Sequence, residues 1–195
     1  MTFWATNFSA DATLKDPKRK FRFLVTLGGL NSDGGQLWYA KTANKPSFAI
    51  AAAEHKYLNH TFYYPGSVTW NDVVITLVDP VKPDSTATLA GIVQAAGYKP
   101  PTSPTSTTTM SKASAANAMG TVTVQQIAGD GSVLETWTLW NAFVIDLKFG
   151  DLEYGGDDLT ELSMTLKYDW AQLEVATEGS DATADTGKKF FAVNS

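Results

Sequence analysis

A mainly β fold, built as two packed antiparallel sheets or a small β-barrel with one flanking helix, is what this 195-residue sequence predicts. Three observations carry the prediction. Leu162, Met164, Leu166, Tyr168 and Trp170 alternate with Glu161, Ser163, Thr165, Lys167 and Asp169, which is the period of a strand with one dry and one wet face. The run before it, Val133 to Phe149, is too long for one strand and keeps no single parity. Trp137, Leu139, Phe143, Ile145, Leu147 and Phe149 lie on one side, Trp140 and Val144 on the other. Such a run passes from one packing environment to another, with a bend near Asn141. Thirdly, only Asp84 to Ala96 reads as a good helix, so strands must supply the rest of the core.

Composition narrows the function. Hydrophobic residues make up 44% and charged residues only 18%, which suits a chain whose surface is largely occupied by copies of itself. A Thr-rich β-domain that stands alone fits the same numbers. The net charge of −5 argues against a surface that coats nucleic acid, because phosphate binding needs clustered cations. The absence of cysteine rules out disulfides and thiolate metal sites. The first residues lack the basic and apolar regions of a signal peptide, and no apolar run approaches membrane-spanning length. A protein folding in a reducing cytoplasm, without membrane insertion of its own, is expected.

In chain order, residues 1–16 read as an arm; Phe3, Trp4 and Phe8 anchor it either on a neighbour or on its own core. Residues 17–174 form the predicted β-domain. Lys18-Arg19-Lys20 leads into a first strand, Phe21 to Leu27, and Asn31 to Gly35 is turn chemistry. A short strand follows over Leu37 to Thr42. Ser47 to Ala53 is ambiguous between a helical turn and a projecting extended loop. Glu54 to Tyr64 is β-prone and stopped by Pro65-Gly66, and Val68 to Val78 reads as one strand. In the helix, Asp84 or Ser85 caps the first turn, Leu89, Ile92, Val93 and Ala96 form the apolar stripe, and Gly97 ends it. Residues 100–118 are low in complexity and read as a surface insertion or linker. Residues 120–128 form a strand, and Gly129 to Ser132 a tight turn. Residues 175–195 read as an acidic arm with a sticky tip, Lys188-Lys189-Phe190-Phe191, able to dock on a neighbouring copy.

No catalytic, cofactor-binding or metal-ligating residues are expected. His55 and His60, five apart in a presumed single strand, face opposite sides and cannot share a metal. Neither a Gly-x-Ser-x-Gly elbow nor a phosphate-binding glycine loop is present. Asp151, Glu153, Asp157, Asp158 and Glu161 bunch around a Gly-Gly turn, but their spacing fails the calcium-loop pattern. Trp70, Trp137, Trp140 and Trp170 are expected in the core or at interfaces; a sugar-stacking platform is the alternative use, and would make the chain a monomeric carbohydrate-binding module.

Three blocks carry a resemblance: Asp16 to Phe23 (DPKRKFRF), Tyr64 to Leu77 (YPGSVTWNDVVITL), and Gly129 to Trp137 (GDGSVLETW) with Trp140 to Phe143. Their order, with a helix between the second and third, resembles the tail tube proteins of contractile-tailed bacteriophages over roughly residues 16–174. The insertion 100–118 and the tail after 175 depart from that pattern. The resemblance implies homo-hexameric rings stacked into a tube, with sheath protein outside and tape-measure protein and DNA inside. The chain would then be a virion protein assembled in the host cytoplasm. It implies four channel-lining strands, at about 54–64, 69–78, 134–148 and 159–170, and a loop near 43–53 bridging to the next ring through Pro46, Phe48 and Ile50. Glu161, Ser163, Thr165, Lys167 and Asp169 are the expected channel-facing row, a mixed lining of net negative charge past which DNA slides. The inner-tube subunit of a contractile injection or secretion system, with protein cargo, is the close variant.

Overall fold

The computed structural model describes residues 18–29, 37, 39–82, 84–103, 107–176 and 188–192. Its elements in chain order are β1 Phe23–Leu27, β2 Ala40–Ala43, β3 Phe48–Tyr57, β4 His60–Trp70, β5 Val73–Val78, α1 Ser85–Ala95, α2 Lys112–Met119, β6 Val122–Ile127, β7 Val133–Trp140, β8 Phe143–Lys148, β9 Glu161–Lys167, β10 Trp170–Val175 and β11 Lys188–Phe190. A five-stranded sheet of order β1-β6-β7-β10-β11 faces a four-stranded sheet of order β2-β5-β9-β8, and β3 pairs with β4 in a separate ribbon. All the pairings are antiparallel.

The core is the space between the two sheets. Leu27, Val122, Leu139 and Ala171 lie side by side across the larger sheet and are buried. Val73, Ile75 and Leu77 of β5 pair with Leu166, Met164 and Leu162 of β9 on the inner face of the smaller one. Leu89 and Ile92 of α1 and Met119 of α2 complete the same cluster. The alternation read along residues 161–168 is therefore the wall of the core.

The long run bends where expected. β7 belongs to the five-stranded sheet and β8 to the four-stranded one, with Asn141 between them at φ 54°. Its partner does the same, β9 lying in one sheet and β10 in the other. Both halves of the hairpin thus change sheets at one corner. There the Asp169 N–H donates to the Trp140 carbonyl at 3.1 Å, and Trp140 stacks on Trp170 with centroids 5.7 Å apart.

Four expectations need correction. A second helix, α2, occupies the end of the stretch expected to be a linker: Ser111 caps it through the Ser114 N–H, and Ala115 and Met119 are buried. Gly120 ends it at φ 66°, pressed so close to the Gly28–Gly29 backbone that a Cβ would lie 2.8 Å from it. Residues 43–53 are not a loop, since Phe48 begins ten residues of paired strand. Nor is 54–64 one strand: the chain turns at Leu58-Asn59 and runs back as β4 through Pro65 and Gly66, where a bulge absorbs the proline. Finally, Val68 to Val78 is not one strand: it breaks at Asn71-Asp72, between β4 and β5. At the C-terminus, β11 pairs Lys188–Phe190 with Leu173–Val175 of the same chain. The arm at 1–16 lies outside the described residues.

Trp137 packs against the core, whereas Trp140 is 42% exposed and touches Trp170 at the corner. Trp137→Ala should therefore cost about 3 kcal/mol of stability in urea unfolding. Trp140→Ala should cost about 1 kcal/mol, the scale of one aromatic pair. Equal losses would contradict this division of roles.

Candidate assembly surfaces

Three surfaces have the character of contacts waiting for a partner. The first is the outer face of the four-stranded sheet. Cross-strand register sets Thr42, Thr76, Ser163 and Lys148 in one row and Val74, Thr165 and Asp146 in the next. Glu161, Ser163, Thr165 and Lys167 all lie on this face, partly exposed. Its charges are matched within the chain: Lys41 with Glu161, Lys167 with Asp72 at 2.7 Å, and Lys148 with Asp146 at 3.7 Å. Glu161 raises the pKa of Lys41. Three cations against three carboxylates leave this face neutral. Asp169 is not part of this sheet; it sits at the corner, where Lys112 and Asn141 bind it and hold its carboxyl below the usual aspartate range. Among the described residues, β2 and β8 have no strand on their outer sides, so the sheet has two free edges.

The second surface is the β3–β4 ribbon. Nearly all of its residues are exposed, including Ile50, Tyr57, Leu58, Phe62, Tyr63, Tyr64 and Val68. A two-stranded ribbon with no core of its own is marginal in water. This one is anchored at its foot, where Trp70 makes edge contacts with Phe48 at 5.0 Å and Phe191 at 5.7 Å and packs on Tyr168. Of the expected bridging residues, Pro46 is buried at that foot, Phe48 is half-covered by Trp70 and Phe191, and Ile50 remains exposed. The pairing of Tyr57 with His60 and of His55 with Phe62 puts both histidines on one face, a correction to the opposite-sided placement. Its cause is the turn at Leu58-Asn59, which puts the two histidines on different strands. Tyr57, Phe62 and Tyr64 share that face, and the His60 ring meets Phe62 edge-on at 4.7 Å.

The third surface is a groove of about 1240 Å³ beside β2, lined by Lys18, Lys20, Lys41 and Lys45 with Phe21 and Ala43. Beside it lies Glu135, a buried carboxylate in mid-strand that receives Lys18 at 2.5 Å and also Lys45. Gln126 accepts from Lys45 and donates to the Arg19 carbonyl. Sequence reasoning missed this cluster, because its members lie 90 and 117 residues from Glu135.

Among the described residues, no three of His, Asp and Glu converge as a metal set. The acidic turn 151–158 is an exposed loop. The tryptophans do not form one platform: Trp70 is at the ribbon's foot, Trp137 faces the core, and Trp140 and Trp170 stack on each other.

Burial alone would push the Glu135 carboxyl up, but Lys18 and Lys45 outweigh it and hold it below the usual glutamate range. A carboxyl depressed in the folded state stabilises above its unfolded pKa, and that contribution is lost as pH falls through the folded value. Glu135→Gln should cost about 1–3 kcal/mol at pH 7. The gap from the wild type should narrow below about pH 4. Thermal melts across pH check both; a gap that does not change with pH would sink the assignment.

No protein-family model matches the sequence, and no curated protein matches it. Solved structures do. The tube–sheath complex of an extracellular contractile injection system (PVC, extended state) includes a chain with TM-score 0.62 at 14% identity, covering 84% of this chain and 95% of its own. The tube-terminating cap of the anti-feeding prophage gives 0.60 at 18%, covering 88% and 100%. The baseplate of the same particle gives 0.59 at 14%, covering 82% and 97%. At such identities the likeness is one of architecture, and this chain has the tail-tube fold.

Proposed function

We propose that this protein is a structural tube subunit of a contractile particle, with residues 17–174 as the tube-building unit. The observation that carries the reading is the four-stranded sheet, dry on its inner face, wet on its outer face and open at both edges. Joining β8 of one copy to β2 of the next is antiparallel by strand order and would continue the sheet from copy to copy into a closed wall. Closure into a hexameric ring, as the sequence resemblance implies, removes both free edges. The outer face, with Glu161, Ser163, Thr165 and Lys167, then lines the lumen. The ribbon, with Ile50 and the Tyr57–Phe62–Tyr64 face, supplies the apolar contact between rings.

In a phage tail the tube would carry DNA and tape-measure protein inside a sheath. The tube of an injection system, carrying protein, is the second reading, favoured by the likeness to PVC and anti-feeding-prophage chains. A neutral, self-paired lining suits either cargo, since it offers a polyanion no fixed cationic site. Particles purified with an antibody to this chain separate the two: DNA-filled heads mark a tail, headless particles an injection device.

Purified protein at high concentration should form rings or tubes of one diameter in negative stain. Phe62→Ser combined with Tyr64→Ser should abolish them while leaving the monomer's melting temperature near that of the wild type. A monodisperse monomer at every concentration would refute the tube reading. Glu161→Lys should leave tubes intact but make them retain DNA at low salt, because Lys41 loses its partner and each copy gains a cation. Tubes that retain no more DNA than the wild type would remove Glu161 from the lumen.

A further inference from the structure

We propose that the acidic β8–β9 loop of one copy seats in the lysine-lined groove beside β2 of the adjacent copy. The proposal rests on the tube reading and adds a second, electrostatic contact to it. Between Lys148 and Lys167 the chain contains no cation, and the loop carries Asp151, Glu153, Asp157 and Asp158. Leu152, Tyr154 and Leu159 in the same loop are among the most exposed apolar side chains of the molecule. A loop that presents both carboxylates and uncovered apolar groups to water is shaped for a partner surface of basic and apolar character.

The groove has that character. Lys18, Lys20, Lys41 and Lys45 line it. Glu135 binds Lys18 and Lys45, and Glu161 binds Lys41, so four cations meet two carboxylates and the groove keeps a net positive charge. Its Asp72 is engaged by Lys167. Phe21, which is 74% exposed, and Ala43 supply apolar floor. In charge and in hydrophobicity the loop and the groove are complements on one molecule. A contact between two different patches of identical chains is head-to-tail, and it propagates from copy to copy.

Strand direction brings the two together. β2 and β9 run one way, β5 and β8 the other, so β8 ends at the level where β2 begins. When the β8 edge meets the β2 edge of a neighbour, the loop that leaves Lys148 is delivered beside that neighbour's Ala40 and Lys41, which border the groove. The same end of the sheet already places Asp158 close enough to Lys41 within one chain to raise its pKa.

The test uses full-length protein assembled from an equal mixture of isotopically light and heavy copies, treated with a zero-length carboxyl–amine cross-linker. Mixed-isotope peptides joining residues 151–158 to Lys18, Lys20 or Lys45 are expected. Asp151→Lys with Asp157→Lys, both exposed and remote from the core, should raise the concentration needed for assembly at least about tenfold. Adding Lys20→Glu should recover part of that loss, and high salt should weaken wild-type assembly. Tubes that form normally from the reversed-loop protein, with only same-isotope loop cross-links, would overturn this contact and leave the tube reading intact. Wild-type protein that never assembles overturns both.

Discussion

The geometry of the molecule depends on one corner, where a single hairpin leaves one sheet and enters the other. Strands that change sheets must turn together, or the ladder between them is lost at the bend. Here the Trp140 carbonyl still accepts from Asp169, and the Asn141 side chain donates to the Asp169 carboxylate at 2.8 Å. Lys112 binds both oxygens of the same carboxylate at 2.7 Å, which ties α2 to the bend. Asparagine tolerates the left-handed backbone required at 141 better than most residues, and the Trp140–Trp170 stack clamps the two strands on either side. With the corner held, the dry faces of both sheets are forced together and the wet faces apart.

The two wet faces differ in charge content. On the five-stranded sheet Thr26, Thr123, Thr138 and Gln172 stand in one cross-strand row without charge, and the next row ends in a single ion pair, Lys189 with Glu174 at 3.7 Å. On the four-stranded sheet the cations and carboxylates are matched within the chain. Exposed ion pairs of this type add little to stability, of order 0–1 kcal/mol each. Their physical consequence lies in the field they cancel: a channel walled by such a face attracts no cargo of either sign strongly. The ribbon obeys a third rule. It has no core, and the aromatic cluster of Phe48, Trp70, Tyr168 and Phe191 anchors it at its foot.

What could be read from the sequence was whatever obeyed a period. The alternation at 161–168, the broken parity around Asn141 and the capped stripe of α1 each report burial against one core, and each is found in place. What escaped had no period to show. α2 buries only Ala115 and Met119 in a Ser-, Thr- and Ala-rich setting, between the caps Ser111 and Gly120. The ribbon is exposed on both faces, so alternation does not mark it, and its turn uses Leu58 at φ 53° in place of the glycine that would have signalled it. Pro65-Gly66, a stop signal in most strands, is accommodated in a ribbon strand at a bulge. Glu135 illustrates a different limit: a carboxylate among Leu134 and Thr136 reads as a solvated position until lysines from two distant segments are folded onto it.

The separation of acidic from basic surface bears on how a chain with only 18% charged residues can associate in an orderly way. Apolar surface alone, such as the ribbon offers, is sticky without direction, and free strand edges pair with any other edge. A charge contrast between two ends of one sheet adds direction, because like ends repel and unlike ends attract. The acidic loop follows one free-edge strand, β8, and the lysine groove lies beside the other, β2. Edge-to-edge pairing in the wrong sense, β8 against β8 or β2 against β2, sets acid against acid or lysine against lysine. Under the proposed joining, the sheet that supplies the adhesive edges would also carry an electrostatic bias towards one way of pairing them.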